Sequence, residues 1–318
     1  MALRDAPWKA RLQAWWEGYE WVDPGAEPEA LAKGDDLRLF RAGDGGAEPE
    51  VAPVFEEHSI AEGWTEARIK LNEKLWGEGF VSPGGEKVIL ELIAPLGLTG
   101  EASVVDLGCG LGGSTRAIAK TTNAWVSGYE ADKALAEAAM ERATMAGLAK
   151  RAPVQHLELE AVNIRRRTID CAFSKEALFA VGERKKLFQT IHKMLKIEGH
   201  FLFTDFFLAA ADAAGPATEV WSAHEPTRPK LWTVKDTSAA LERLGFEVRI
   251  TEDITGPYQA RVVKGFSKLL RIIQQPPMDP EFTAWAAAEA EHWARRVAVL
   301  ESGEVKVFRV YARLPLSV

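Results

Sequence analysis

Ser103-Val104-Val105-Asp106-Leu107-Gly108-Cys109-Gly110-Leu111-Gly112-Gly113-Ser114 is the stretch that decides the fold of this 318-residue chain. A β-branched, apolar run ends in Asp106. Gly108, Gly110, Gly112 and Gly113 follow, and a helix opens at Ser114. Glycine lets the backbone turn sharply and lets a ligand approach closely. The free N–H groups of the helix start lie just behind. A strand, a glycine turn and a helix in this order suit a nucleotide-like ligand at the carboxyl ends of parallel strands.

Outward from this turn, strand-like and helix-like runs alternate. Strands are predicted at 103–107, 124–130, 153–157, 168–174 and 199–205, with helices at 113–121, 132–147 and 183–195. Such alternation implies an α/β fold with a parallel sheet covered on both faces. Residues 206–231 are mixed and carry Pro216, Pro226 and Pro229. A helix over 233–244, a strand over 246–252, helices over 258–273 and 280–300, and a strand over 305–312 complete the chain. Upstream, Ile60, Trp64, Ala67, Leu71 and Leu75 fall at helical spacing and predict one helix over 58–76. A second helix follows Ser82-Pro83-Gly84-Gly85 and runs to Leu96. Residues 7–20 read as a short amphipathic helix, and 22–53, rich in Gly, Pro, Glu and Asp, as an irregular arm.

Two acids separate the ligand classes that a glycine turn can serve. Gly108-Cys109-Gly110-Leu111-Gly112-Gly113 formally fits a dinucleotide fingerprint. A carboxylate at Asp106 would repel a pyrophosphate, however, whereas it can accept from an ammonium group. Glu130, at the end of the next strand, suits ribose hydroxyls. Ribose plus ammonium without pyrophosphate describes S-adenosylmethionine.

On these residues the chain resembles the class I S-adenosylmethionine-dependent methyltransferases, whose first motif Val104–Gly112 matches closely. The resemblance implies a Rossmann-like seven-stranded sheet with an antiparallel last strand. It divides the chain into a tryptophan-rich arm (1–57) and a methyltransferase domain (58–318). Within the domain it implies a helical lid (58–98), a cofactor-binding core (99–205) and substrate-side helices with the last strands (206–318). Among subgroups, the phosphoethanolamine N-methyltransferases are most similar. Leu75–Gly85 resembles their segment over the cofactor, and Ser174–Phe179 their active-site segment. The resemblance implies that Val81, Ser82, Asp106, Gly108, Cys109, Gly110, Glu130, Ala131, Glu158 and Lys175 bind S-adenosylmethionine. Those enzymes use a tyrosine and histidine pair; the histidine position falls at Ala180, the tyrosine at Trp64, and a nearby substrate-contacting tyrosine at Asn72.

The chemistry that remains is a methyl transfer in which the sulfonium methyl is already electrophilic. The site must hold a nucleophile in line with it and exclude water. Glu176 is the carboxylate near the methyl, able to steer a cation or take a proton; it is equally suited to a helix N-terminus. Arg228 and Arg296 could hold a phosphate or carboxylate. Trp64, Trp76 and Tyr258 could surround a cation or form plain core. The expected acceptor is a small polar amine or thioether bearing a phosphate or carboxylate. A lipid or quinone methyltransferase and a non-catalytic S-adenosylmethionine-binding module are the alternatives.

Bulk properties narrow the partners. The net charge of −7 repels phosphate backbones, so no nucleic acid is expected. The two cysteines form no disulfide framework, the opening residues 1–7 lack an apolar signal core, and no apolar run is long enough to span a bilayer. A cytoplasmic protein without stable membrane insertion is expected. The histidines show no ligand spacing, so no metal is assigned. Trp8, Trp15, Trp16 and Trp21 crowd the arm and suit docking on the core or on a second copy in a homodimer.

Overall fold

The computed structural model describes residues 58–274 and 280–316. The helix read over 7–20, the arm over 22–53 and its tryptophans lie outside the described residues.

Seven strands form one sheet in the order β3-β2-β1-β4-β5-β7-β6. The central strand β1 (Ser103–Leu107) is buried along nearly its whole length, as a strand covered on both faces must be. It pairs in parallel with β2 (Trp125–Glu130) on one side and β4 (Ile169–Lys175) on the other. β3 (Val154–His156) extends the sheet beyond β2, and β5 (Leu195–Leu208) beyond β4. β7 (Val305–Arg313) runs antiparallel between β5 and β6 (Glu247–Asp253). The chain therefore turns back across the sheet between β1 and β4. At such a switch point the carboxyl ends of the strands open a crevice. β6 is the far edge and carries Glu247, Arg249, Glu252 and Asp253, charges that discourage pairing with another chain.

The helices are α1 (Glu66–Trp76), α2 (Gly85–Ile93), α3 (Gly113–Thr122), α4 (Lys133–Met145), α5 (Arg184–Met194), α6 (Pro216–Ala223), α7 (Val234–Arg243), α8 (Thr255–Ile273) and α9 (Pro280–Glu301). Two differ from the sequence expectation. The single helix over 58–76 is split. A capping box between Ser59 and Glu62 closes one turn, Gly63 adopts φ 93°, and Thr65 caps α1 afresh through the Arg68 N–H. Helix α6, inside the segment read as mixed, begins with Pro216 at its first turn. Its cap is remote: the Glu304 carboxylate accepts from the N–H groups of Gly215, Ala217 and Thr218.

Helix α1 is tied to α9 by a buried polar network. Arg68 donates through Nε to Glu289 at 2.8 Å and through Nη1 to the carbonyls of Ile60 and Gly63. Asn72 and Trp293 also donate to Glu289, and Trp76 donates to Asn72. Removing one member of such a buried pair strands a charge at a cost of about 3–5 kcal/mol. Glu289→Ala is therefore expected to lower the urea midpoint strongly, and Glu289→Gln, which loses the charge but keeps an acceptor oxygen for Arg68 and Asn72, somewhat less. Equal midpoints for both variants and the parent would show that the network contributes little.

Candidate active site

The crevice is built where β1, β2 and β4 end. Gly108 sits at φ +73°, and a β-carbon there would overlap that of Ala177, so the loops after β1 and β4 pack directly against each other. Ser174 Oγ donates to the Leu107 carbonyl at 2.7 Å and locks the same junction. From β2, Glu130 reaches back: its carboxylate accepts from the Gly110 N–H at 2.7 Å and from the Asp132 N–H at 2.9 Å. Burial pushes its carboxyl up, against the pull of these backbone donors. A carboxylate has about four acceptor sites, so Glu130 keeps acceptor capacity for a ligand beyond these backbone bonds.

Asp106 faces inward instead. It is fully buried, and its Oδ2 accepts from the hydroxyls of Ser114 at 2.5 Å and Thr115 at 2.7 Å. Burial raises its carboxyl to about 6 despite these bonds. The carboxylate pins the end of β1 to the start of α3 from beneath the turn. Cys109 is buried in the turn, its thiol pushed well up by burial.

The segment between α1 and α2 closes over the turn. The Gly79 carbonyl accepts from Gly113 N at 3.0 Å, Val81 stands beside Gly110, and Ser82 Oγ accepts from Lys175 Nζ at 2.6 Å. Lys175 also pairs with Glu176 at 2.6 Å. Burial lowers the Lys175 pKa, and Glu176 only partly restores it. Glu176 takes the left-handed conformation (φ 58°), with its N–H on the Thr204 carbonyl. Its second oxygen accepts from Tyr258 OH, on α8, at 3.1 Å. Burial and then Glu176 push the Tyr258 phenol well up. Phe206 stands edge-on to Tyr258 and lies under the Arg296 guanidinium.

The structure thus brings together Val81, Ser82, Gly108, Gly110, Glu130, Lys175, Glu176, Tyr258 and Arg296. Trp76 is buried against Trp293 and Gly265, where α1 packs on α8 and α9. Trp64 lies beneath the Arg68 guanidinium, 3.9 Å from its ring centre, against Leu111 and Leu135. Ala131 offers its carbonyl to His156, and Glu158 is exposed. Arg228 lies at the surface, in an ion pair with Glu219. Arg296 is buried, but Glu225 holds it through both nitrogens, at 2.8 and 2.7 Å. Burial opposes the Glu225 charge, yet Arg296 and His292 bring its carboxyl down to about 2. Sequence reading missed Glu225 and also Arg261, which stands three residues after Tyr258 on α8; that helical spacing was its signal.

Known proteins resemble this chain over the segments just described. Residues 104–199, which span the turn, Glu130 and the Lys175–Glu176 segment, match a family described as methyltransferase domain. The chain carries a class I S-adenosylmethionine-dependent methyltransferase domain. Among curated relatives, phosphoethanolamine N-methyltransferase 1 of Triticum aestivum is 28% identical over 187 residues, 58% of this chain and 36% of the relative. Dimethylglycine N-methyltransferase of Parasynechococcus marenigrum (strain WH8102) is 30% identical over 117 residues, 37% of this chain and 41% of the relative. The match spans less than half the length of either relative. The methyltransferase fold is shared with a structure of phosphoethanolamine N-methyltransferase 2 of Haemonchus contortus in complex with phosphomonomethylethanolamine and S-adenosylhomocysteine. Its TM-score is 0.68 at 18% identity, over 78% of this chain and 57% of that one.

One buried carboxyl in this methyltransferase domain gives a pH signature. Asp205, in β5, is raised by burial from an ordinary value of 3.8 to about 7, with Arg184 opposing. The unfolded chain then releases this proton near pH 4, while the folded chain holds it up to about 7. This group therefore costs stability progressively as pH rises through that window, at up to about 1.4 kcal/mol per pH unit. Asp205→Asn should raise the urea midpoint at pH 8 and leave it nearly unchanged at pH 4. The same midpoint difference at both pH values would contradict this.

Proposed function

We propose that this chain transfers the methyl group of S-adenosylmethionine to a small polar acceptor, an amine or thioether that carries a phosphate or carboxylate. The observation that carries this reading is the Lys175–Glu176–Tyr258 cluster, seated under the 79–82 segment next to the glycine turn. The residues at the turn fit the methyl donor. Glu130 retains acceptors for ribose hydroxyls, and Gly110 leaves the backbone bare beside them. Asp106 shapes the turn from beneath. The donor supplies an electrophilic methyl on a sulfonium. The acceptor's lone pair forms the new bond to carbon as the carbon–sulfur bond breaks, and the electron pair stays on sulfur.

The protein then has to align the acceptor, balance its charge and keep out water. Glu176 attracts the cationic end of an acceptor, and its own position is fixed by Lys175 and Tyr258. Tyr258 and Phe206 give that end an aromatic wall. A thioether or an amine arriving unprotonated needs no base.

Calorimetry with S-adenosylmethionine and S-adenosylhomocysteine tests the donor side; absence of heat from both would sink the reading. Glu130→Gln should weaken S-adenosylhomocysteine by about tenfold or more through loss of charge-assisted hydrogen bonds. Methyl transfer to phosphoethanolamine or dimethylglycine tests the acceptor side. Turnover of hydroxyl compounds or lipids alone would overturn the acceptor class.

A further inference from the structure

The sequence offered two arginines to hold an acceptor's acidic group, and the fold has already neutralised both. Arg228 pairs with Glu219 at the surface, 2.6 Å away. Arg296 is gripped from both nitrogens by the buried Glu225 carboxylate, which Trp221 also supports through its indole N–H. A second anion there would have to displace a carboxylate from an interior pair, at a cost of several kcal/mol.

Arg261 is different. It lies on α8 along the stripe Tyr258, Arg261, Gly265, Lys268, whose spacing of three and four residues keeps all four on one side of the helix. The other members of the stripe face either the Glu176 cluster or the end of α1. Tyr258 donates to Glu176. Gly265 lies so close to the Trp76 ring that a β-carbon would overlap it. Lys268 Nζ donates to the Leu75 carbonyl at the end of α1. Arg261 thus sits between the Glu176 cluster and Trp76, partly buried, and with no hydrogen bond or ion pair among the described residues. Its charge is felt by Lys175, whose ammonium it disfavours. A guanidinium drawn from water without a carboxylate is a ready partner for an oxyanion, which it can grip through two parallel N–H bonds.

We propose that Arg261 is the anion anchor of the acceptor site. It holds the phosphate or carboxylate of the acceptor while Glu176 and Tyr258 face the cationic end. Three residues of helix rise only about 4.5 Å, so the arrangement selects short zwitterions in which the two charges are close. This inference rests on the methyl-transfer reading, and its test keeps the two apart.

The measurement is calorimetric titration of phosphoethanolamine and of dimethylglycine into protein saturated with S-adenosylhomocysteine, for the parent, Arg261→Ala, Arg261→Lys and the exposed same-helix control Arg271→Ala. Arg261→Ala should weaken binding of an acid-bearing probe by about tenfold to a hundredfold, as loss of a charge-assisted hydrogen-bonded pair does. Arg261→Lys should recover part of it, and Arg271→Ala should behave as the parent. The affinity for S-adenosylhomocysteine should be the same in all four. Equal probe affinity in the parent and Arg261→Ala overturns the anchor, as does a parent that binds neither probe. Arg261-dependent probe binding without methyl transfer would leave the anchor standing and overturn the methyl-transfer reading alone.

Discussion

The close approach of Gly108 to Ala177 is the contact on which the rest of the site depends. It exists because Gly108 has no side chain and because the residue facing it is small. The Ser174 hydroxyl on the Leu107 carbonyl fixes the two strand ends at that separation. From there each neighbour follows. Glu176 precedes Ala177 and is held in a left-handed conformation by the Thr204 carbonyl, which aims its carboxylate at Tyr258. Such a conformation costs a non-glycine residue about 1–2 kcal/mol. The bonds that Glu176 makes to Lys175 and Tyr258 offset it. Lys175, one residue earlier, then reaches Ser82 and ties the segment between α1 and α2 to the turn. Wider loops would separate these contacts together.

Electrostatics around the acceptor side follow from which charges cancel inside the fold. Arg68 with Glu289 and Arg296 with Glu225 are buried pairs that hold α1, α6 and α9 in place. His292 lies beside both acids; burial and then the Arg296 charge bring it down to about 4, so at neutral pH it adds no charge. Lys175 and Glu176 form a third pair. A cancelled pair exerts little field on a ligand, whereas an uncompensated charge in a low-dielectric crevice acts strongly. On the proposed reading, what the crevice presents to an incoming molecule is set by Arg261, which has no ion pair among the described residues, and by Glu176.

The parts of this arrangement that are local in sequence could be read from it. The strand, the glycine turn and Glu130 announce themselves because a turn with φ above zero and an acid at the next strand end are short-range requirements. All seven strands were legible from apolar runs alternating with helical periodicity, although β5 extends well past the expected 199–205. Features that depend on distant partners were not legible. Helix α6 is capped by Glu304, 86 residues beyond Thr218, and Glu225 meets Arg296 across 71 residues. No local pattern marks either. Arg296 therefore reads as a free cation in the sequence and is a neutralised one in the fold. Asp106 is a related case: its acid was legible, but not that the hydroxyls of Ser114 and Thr115 would turn it inward.

The positions at which the resemblance expects a tyrosine and histidine pair show why that difference is not a mere gap. Asn72 is fully buried, donating to Glu289 and accepting from Trp76. Trp64 carries the Arg68 guanidinium on its face. Both are wired into the network that holds α1 against α9, so neither side chain is free to move a proton. Ala180 has nothing to donate or accept from its side chain. On the proposed reading, the work left to the protein is alignment, charge complementarity and exclusion of water. A rigid lid scaffold serves those needs better than a titrating pair would, provided the nucleophile arrives with its lone pair already free.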